Sequence, residues 1–470
     1  MTGAFAGERA VVVGFGRSGR AAAQVLAAEG ADVRVTEARS LADVEGTPEV
    51  IEADTEGSTD LPPDLEILAG GHRPEHLDGA TLVVVSPGVP QGADVLGWAR
   101  ERGLPIWSEL ELGARLCRVP YVAVTGTNGK TTTVELVAGM MRAAGLSAAA
   151  CGNVGYPFSL AARDASLDAL AVECSSFQLV FQESLHPRVS VLLNLAPDHL
   201  DWHGSFDEYV RAKARIFARQ GPADTHVGNR DDHEAARVSG QASCAIRWFA
   251  SGQPAPGDVG VVEGHILSAG VGAGSVDALV DLGAPSVQHR SFLSDAAAAA
   301  ASALAFGLPA DAIRAALQTF DPLPHRGTVV ARAGSVKFVD DSKATNPHAA
   351  LAALEGMKDA VLIAGGLAKG VDLSPLASAA PNLSAVVAMG EAAPAVAEVF
   401  RGLVPVLRAG SIEEAVEVAF DAAPEGGTVV LAPACASQDM FRDYRERGER
   451  FTAAARAVGA RAIPSEGSYA

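Results

Sequence analysis

One local pattern occurs three times along the chain: a short apolar run, a polar or glycine-rich loop, and then a stretch of helix length. The pattern begins at "RAVVVGFGRSGRAAAQ", again at "PYVAVTGTNGKTTTVEL" and a third time at "GSVKFVDDSKATN". Short apolar runs that alternate with helices are typical of parallel sheets, which bind ligands at the carboxyl ends of their strands. The sequence therefore predicts an α/β fold with ligand-binding groups in the loops that follow the strands.

The three starts also predict how the chain is divided. A length of 470 residues is too great for one hydrophobic core. We predict three α/β domains, at residues 1–117, 118–322 and 323–470. The segment 320–329, "FDPLPHRGTV", contains two prolines and is predicted to be the hinge before the third domain.

Composition excludes several classes of function. The formal net charge of −19, with no basic block to offset it, argues against a nucleic-acid partner. The N-terminus lacks the pattern of a signal peptide, and the apolar run 296–308 is Ala-rich, which favours a core helix over a membrane span. We therefore expect a cytoplasmic protein with no membrane partner, and nothing in the sequence indicates an obligate protein partner.

The cysteines indicate neither a disulfide framework nor a zinc site. They are scattered, with no CxxC pair, and this usage is typical of reduced thiols in a cytosolic protein. The five are Cys117, Cys151, Cys174, Cys244 and Cys435.

Two glycine loops have the features of nucleotide sites. The first has Gly14, Gly16 and Gly19 in the G-x-G-x-x-G spacing after a strand, with Glu37 at the end of the next strand. Glycines that let a pyrophosphate approach, and an acid for ribose hydroxyls, fit a dinucleotide such as NAD. The first loop alone therefore suggests a dehydrogenase.

The second loop, "TGTNGKTT" at 125–132, also lies between a strand and a helix. Its backbone N–H groups could cradle phosphate oxygens, Lys130 could reach the terminal phosphates, and the Thr131 hydroxyl could hold Mg²⁺. The spacing departs from the strict P-loop, because Gly126 stands only three positions before Gly129. We predict ATP binding here, as in a kinase or a ligase.

Polar residues follow two strands of the same segment. Glu173 ends "DALAVE", and Asp198, His199 and Asp201 follow "RVSVLLNLA". A helix cap, a surface imidazole or a strand-end charge explains each of them singly. Together with Asn153 in "CGNVG" they converge on the carboxyl edge of one sheet, where they could hold Mg²⁺, although histidine is an unusual ligand for that ion.

Lys213 lies on an apolar helix stripe. In "FDEYVRAKARIF", Tyr209, Ile216 and Phe217 are four before, three after and four after it, and so share its helix face. Burial would lower the pKa of this lysine toward a neutral, nucleophilic amine. A lysine that extends from the edge of the stripe into solvent is the alternative.

Taken together, these residues closely resemble the Mur ligase family. The shared motifs run from residue 14 to about 451 and include "GFGRSG", "SPGVP", "TGTNGKTTT", "GNVG", "ECSSFQL", "NLAPDHLDWH", "YVRAKARIF", "HRG", "DDSKATNP", "AGGLAKG" and "APACASQDMF". The resemblance implies a Rossmann-like N-terminal domain, a central P-loop-type ATPase domain with a mainly parallel sheet, and a Rossmann-like C-terminal domain. "SSFQL" and "DSKATN" are similar to the member that adds D-glutamate.

The reaction that the resemblance implies is an ATP-dependent amide ligation in peptidoglycan precursor synthesis. The substrates are UDP-N-acetylmuramoyl-L-alanine, D-glutamate and ATP, and the intermediate is an acyl phosphate. Two Mg²⁺ ions and a carbamate formed from CO₂ on Lys213 are expected. The first glycine loop would then hold a UDP-sugar diphosphate rather than NAD.

The resemblance also implies which residues of this chain contact each ligand. UDP-substrate contacts are expected from Gly16, Arg17, Ser18, Glu37, Arg39, Ser86, Gly88 and Asn153. ATP contacts are expected from Gly126, Thr127, Asn128, Gly129, Lys130, Thr131, Thr132, Arg326 and Asp341. Catalytic roles are expected for Lys130, Glu173, His199 and Lys213. Metal contacts are expected from Thr131, Glu173, His199 and carbamylated Lys213. D-Glutamate contacts are expected from Lys343, Thr345, Lys369, Ser437 and Tyr444.

One position departs from the family. Many relatives have an Asn that reads adenine in the helix near residue 290, where this chain has Asp295. An Asp side chain has no amide N–H to donate, so adenine recognition differs here while the phosphate chemistry does not.

Other classes fit fewer of these residues. A polyglutamate ligase lacks the "GFGRSG" domain, and the Mur ligase that adds L-alanine differs at "SSFQL" and "DSKATN". An NAD-dependent dehydrogenase would leave Lys130, Thr131 and Lys213 without a role. A non-enzymatic nucleotide-binding module would not need Glu173, His199 and Lys213 together.

Overall fold

Valine-rich runs form the centres of three separate sheets. The computed structural model describes residues 3–40, 42–43, 61–63, 65–270, 279–285, 289–321 and 323–462. By its contacts the chain divides into two units, one of residues 1–195, 202–288 and 292–320 and the other of residues 196–201, 289–291 and 321–470. The first unit contains two of the sheets and the second unit contains one.

The first sheet has five parallel strands, in the order β3-β2-β1-β4-β5. Its strands are β1 (Arg9–Val13), β2 (Asp32–Thr36), β3 (Glu66–Leu68), β4 (Leu82–Val85) and β5 (Ile106–Ser108), and its helices are α1 (Arg17–Ala28), α2 (Asp94–Glu101) and α3 (Glu109–Leu116). The strand order reverses at β1, where the first glycine loop lies. A side-chain carbon on Gly19 would come within 2.0 Å of the Gly14 carbonyl oxygen, so glycine lets α1 pack directly on the loop.

The central sheet has nine strands, in the order β14-β13-β12-β11-β10-β9-β6-β8-β7. Its strands are β6 (Tyr121–Thr125), β7 (Ala148–Gly152), β8 (Ala169–Glu173), β9 (Val189–Leu192), β10 (Thr225–Asn229), β11 (Ala245–Ser251), β12 (Val259–Val262), β13 (His265–Ala269) and β14 (Leu279–Gly283). Only β13 and its two neighbours pair in antiparallel fashion. The predicted mainly parallel sheet is therefore confirmed.

The helices that accompany this sheet include the predicted Ala-rich core helix, in which every side chain from Ala296 to Ala301 is fully buried. They are α4 (Lys130–Ala143), α5 (Phe158–Ala161), α6 (Ser176–Val180), α7 (Leu200–His203), α8 (Phe206–Ala214), α9 (His233–Ser239), α10 (Arg290–Phe306) and α11 (Ala310–Thr319). None of the helices in the described ranges has the length and hydropathy that a membrane crossing requires.

The third sheet has six strands, in the order β15-β16-β20-β17-β18-β19, with only β15 antiparallel. Its strands are β15 (Thr328–Ala333), β16 (Val336–Asp340), β17 (Ala360–Gly365), β18 (Leu383–Met389), β19 (Val406–Arg408) and β20 (Thr428–Leu431), and its helices are α12 (Pro347–Leu354), α13 (Ala393–Val399), α14 (Ile412–Ala422) and α15 (Tyr444–Ala462). Short 3₁₀ helices occupy Pro74–Leu77, Arg215–Phe217 and Ser374–Asn382. Each sheet lies within one predicted domain. The boundaries themselves stay predictions, and Pro322, at the second boundary, lies outside the described residues.

Two buried carboxylates on α3 join the first sheet to the central one. Glu111 accepts hydrogen bonds from the backbone N–H groups of Glu183 and Ser184, at 2.8 and 2.9 Å. Glu109 accepts one from the Ser159 N–H at 2.6 Å, and its second oxygen is buried without a partner. Burial raises the pKa of Glu109 to about 7, against the opposing effect of the Ser159 N–H.

We expect Glu109 to make folding depend on pH. Its pKa in the folded protein lies above the ordinary 4.5, so its contribution to stability is complete below pH 4.5 and is lost as the pH rises through about 7. Glu109→Gln keeps the acceptor for Ser159 and removes this cost. The unfolding free energy of the variant relative to wild type should therefore rise between pH 5 and pH 8, by about 3 kcal/mol.

Urea unfolding at several pH values measures this difference. Glu101→Gln, at an exposed position of α2, is the matched control and should follow wild type. Parallel pH curves for Glu109→Gln and wild type would contradict the assignment.

Candidate functional site: the phosphate loop and the strand ends around it

The phosphate loop lies between β6 and α4, as predicted, and Asn194 supports it from the end of β9. The Asn194 carboxamide oxygen accepts from the Asn128 N–H at 2.8 Å, and its NH₂ donates to the Asn128 carbonyl at 3.2 Å. The Asn194 backbone carbonyl also accepts from the Thr127 N–H at 3.0 Å. Sequence reasoning missed Asn194, although its place as a polar residue ending an apolar run was the available signal.

The loop turns into α4 at Gly129, which is the N-cap of the helix. Its φ is +85°, a left-handed conformation that residues with side chains rarely adopt. A carbon added to Gly129 would come within 2.1 Å of Asp295 Oδ1. The Asp295 carboxylate therefore lies directly against the phosphate loop, in the same unit.

Lys130 and Lys213 converge on one backbone oxygen. Lys213 Nζ donates to the Gly126 carbonyl at 2.7 Å, and Lys130 Nζ donates to the same oxygen at 2.9 Å. Lys213 is only 1% exposed and lies 4.7 Å from the centre of the Tyr209 ring. Its burial excludes the alternative of a solvent-reaching lysine. The shared acceptor brings two ammonium groups together.

Glu173 and Asn153 meet beside this loop. Asn153 Nδ2 donates to Glu173 Oε1 at 2.9 Å, while Glu173 Oε2 is buried with no hydrogen-bond partner. A buried carboxylate oxygen without a donor is costly unless it binds a ligand or a cation. This oxygen fits the predicted metal contact of Glu173.

His199 belongs to the other unit, in the segment 196–201. Its φ is +53°, and its N–H donates to Asp198 Oδ1 at 2.9 Å. Among the described residues, no three His, Cys, Asp or Glu side chains come together as a metal site. The predicted metal contacts Thr131, Glu173 and Lys213 thus lie in one unit and His199 in the other.

Glu37, at the end of β2, is engaged by its own loop. Its carboxylate accepts from the Phe15 N–H at 2.7 Å and from the Arg39 N–H at 3.0 Å, and it forms an ion pair with the Arg39 guanidinium. Burial alone would raise the pKa of Glu37, but these hydrogen bonds outweigh it and lower the pKa to about 2. Glu37 therefore closes the first glycine loop, and its predicted contact with the UDP-sugar stays a prediction.

Apart from Asn153, the remaining UDP-substrate candidates lie around the same loop. Ser86 Oγ donates to the Gly14 carbonyl at 2.9 Å, and Gly88 follows in the turn after β4. Gly16 is the N-cap of α1, followed by Arg17 and Ser18 in its first turn. Sequence reasoning missed His72 and His76 there; each has Nδ1 within 2.9 Å of Thr36 Oγ1.

In the second unit, the "DDSKAT" loop lies after β16. The Lys343 ammonium stacks over the Tyr444 ring at 4.0 Å, and Ser437 is buried in the loop after β20. Burial raises the pKa of Asp341 to about 7, with Arg326 opposing the shift. Lys369 is exposed, with a φ of +51°.

Arg447 holds these two loops together and was also missed. It is 1% exposed, and its guanidinium donates to the Ser342 carbonyl at 2.8 Å and to the Cys435 carbonyl at 3.1 Å. The charged run "YRERGER" carries no pattern that distinguishes this buried arginine from its exposed neighbours.

Three family models match successive parts of the chain. They are described as the Mur ligase MurD-like N-terminal domain, the Mur ligase middle domain and the Mur ligase glutamate ligase domain, and match residues 8–108, 124–256 and 325–435. The chain belongs to the Mur ligase family. The resemblance inferred from its motifs is thereby confirmed.

The similarity of this Mur ligase to its relatives extends over almost its whole length. A UDP-N-acetylmuramoylalanine--D-glutamate ligase of Frankia casuarinae is 42% identical over 467 residues, covering 96% of this chain and 95% of the relative. One of Acidobacterium capsulatum is 38% identical over 454 residues, covering 95% of each. The solved structure of UDP-N-acetylmuramate-alanine ligase MurC from Thermotoga maritima shares the fold, with a TM-score of 0.59 and 17% identity, covering 96% of this chain and 99% of that one.

We expect Gly129→Ala to destabilise this Mur ligase. The added methyl group must displace the Asp295 carboxylate. The alanine must also keep a left-handed φ, which costs on the order of 1–2 kcal/mol for the backbone alone. Thermal unfolding measures the change. In an Asp295→Ala background only the backbone cost should remain.

Gly139→Ala, in the same helix, is the matched control. A carbon added there meets no atom within 4 Å, so this variant should be as stable as wild type or gain up to about 1 kcal/mol. Equal stabilities for the two alanine variants would show that the turn at Gly129 does not need glycine.

Proposed function

We propose that the chain is an ATP-dependent ligase that joins D-glutamate to the L-alanyl carboxylate of UDP-N-acetylmuramoyl-L-alanine, in peptidoglycan precursor synthesis. Curated relatives that are 36–42% identical over nearly its whole length carry the name of that enzyme. The observation that carries the chemistry is the pair Lys130 and Lys213 on one loop carbonyl. Cell-wall supply, and through it cell shape and division, is the process that this product serves.

The reaction first has to bring two anions together. The L-alanyl carboxylate attacks the γ-phosphorus of ATP, the bond to the ADP oxygen breaks, and an acyl phosphate forms. The amine of D-glutamate then attacks the acyl carbon, and phosphate and a proton leave as the amide forms. The protein's task is to position the groups and screen their charge, and Lys130 is the cation that the loop itself provides.

Mg²⁺ would supply the rest of that screening. Thr131 in the first turn of α4 offers a hydroxyl, and Glu173 offers a buried oxygen without a donor. Oxygen ligands of this kind suit Mg²⁺. We assign these two residues, with His199, to two Mg²⁺ ions.

The arrangement of the lysines supports a carbamate on Lys213. Two ammonium groups on one carbonyl repel each other, and burial of Lys213 adds a desolvation cost to its charge. A neutral Lys213 amine can add to CO₂, forming an N–C bond and releasing one proton. The product is a carboxylate that replaces a repelling cation with a ligand for the second Mg²⁺.

The other substrates are assigned to the remaining parts of the chain. We propose that the UDP-sugar lies at the first glycine loop and Asn153, and that Arg326 and Asp341 contact ATP. D-Glutamate is assigned to Lys343, Thr345, Lys369, Ser437 and Tyr444. We propose three domains, with the boundaries predicted above, because each sheet falls within one of them. The cytoplasmic location stays a prediction.

Phosphate release tests the proposed reaction. Purified protein with ATP, Mg²⁺ and UDP-N-acetylmuramoyl-L-alanine should release phosphate when D-glutamate is added, and not with L-glutamate, L-lysine or no amino acid. Lys130→Ala should abolish that release. Release with another amino acid would keep the mechanism and refute the substrate. No release with any of them would return the first glycine loop to a redox role, tested with NADH.

Lys213→Ala tests the carbamate. The variant should lose phosphate release by two orders of magnitude or more, because a metal-binding carboxylate and its charge are gone. Formate or acetate at millimolar concentration should restore part of the rate by placing a small carboxylate in the space left by the side chain.

Arg211→Ala is the matched control, since it removes an exposed cation from the same helix. It should retain wild-type activity and not respond to formate. A Lys213→Ala variant with the wild-type rate would refute the role of Lys213. A dead variant that no small carboxylate rescues would count against the carbamate.

A further inference from the structure

Asp198 contacts two different segments through its carboxylate, and Oδ2 also lies 3.8 Å from Nε2 of His199. Oδ1 accepts from the N–H of the next residue, His199, at 2.9 Å. Oδ2 accepts from Asn346 Nδ2 at 3.1 Å, across 148 positions of sequence. All three residues belong to the second unit.

The Asn346 side chain also makes two hydrogen bonds. Its Oδ1 accepts from the Ala349 N–H at 2.9 Å and so caps α12, while its Nδ2 donates to Asp198. The residue is 3% exposed. Because the Ala349 N–H requires an acceptor and Asp198 requires a donor, the amide cannot turn over without losing both hydrogen bonds.

The hydrogen bond therefore joins two segments that each carry candidate site residues. On one side is His199, whose left-handed backbone stores strain that its surroundings must maintain. On the other side is the loop that ends in Asn346 and contains Lys343 and Thr345.

We propose that Asp198 and Asn346 are positioning residues that form a latch, through which the loop that contacts the amino acid sets the backbone of His199. The proposal deepens the function proposed above and rests on it for the roles of His199, Lys343 and Thr345. Through this latch, binding of D-glutamate and placement of His199 are coupled, and the coupling acts equally in both directions.

Exchanging the two side chains tests the latch. Asn346→Asp keeps a good helix cap and places a carboxylate against that of Asp198. Asp198→Asn keeps an acceptor for the His199 N–H and places an NH₂ group against that of Asn346. In the double variant the donor and acceptor have exchanged places, so the hydrogen bond can form again while the His199 N–H and the helix cap both keep their acceptors.

Hydrogen exchange of the full-length protein measures how well the latch holds residues 196–201 and does not require ligase activity. Amide exchange in a peptide spanning 196–201 should be about tenfold faster in each single variant and return close to wild type in the double variant. Asn346→Ser keeps the cap and removes the donor without adding charge, and should fall between wild type and Asn346→Asp. Unchanged exchange in the singles, or additive losses in the double, would overturn the latch.

Phosphate release gives the second readout. In each single variant kcat should fall about tenfold, with a higher Mg²⁺ requirement and a higher KM for D-glutamate, and all three should recover in the double variant. A purely structural defect would not recover. Recovered exchange with no ligase activity in wild type would refute the proposed function and leave the latch standing; normal wild-type activity with no recovery would refute the latch alone.

Discussion

The Gly126 carbonyl is the point on which the central site depends. It lies at the end of β6, where the turn into α4 begins, and it accepts hydrogen bonds from both Lys130 and Lys213. Lys130 also donates to the Thr127 carbonyl at 2.9 Å, and Lys213 lies 3.4 Å from Thr125 Oγ1, so uncharged oxygen atoms of one short turn hold two ammonium groups close together. Two cations this close together favour the binding of an anion at the loop, or the loss of charge from one of the lysines. The roles proposed for both lysines build on this arrangement.

Carboxylates elsewhere in the chain hold loops and segments in place by accepting hydrogen bonds from backbone N–H groups. Glu37 closes the first glycine loop, Glu111 and Glu109 join α3 to the central segment, and Asp198 joins the His199 segment to α12. Each acid satisfies amides that would otherwise be unpaired in tight turns. The chain has a net charge of −19, and these four acidic residues use their carboxylate oxygens to stabilise its internal structure. Net charge alone would not reveal this use.

Local patterns were sufficient to predict the α/β class, the two glycine loops and the core helix, because the spacing of apolar residues distinguishes strands from helices. They did not identify β10 to β14, which make up more than half of the central sheet. Lys213 was also visible, since its apolar neighbours share one helix face. Asn194, Arg447 and the Asp198–Asn346 pair were not, because each acts through partners distant in sequence that no period encodes. Glu37 illustrates the converse: the pattern located it and assigned it a nucleotide contact, but gave no sign that the Phe15 and Arg39 N–H groups engage its carboxylate.

The run of buried alanines in α10 has a consequence for how this protein can change. From Ala296 to Ala301 no side chain has any exposed surface, so every larger residue must push its neighbours apart, and glycine, the one smaller choice, weakens the helix. Substitution at any of these six successive positions is therefore expected to cost stability. The segment with the simplest composition is therefore one in which we expect few substitutions to be tolerated.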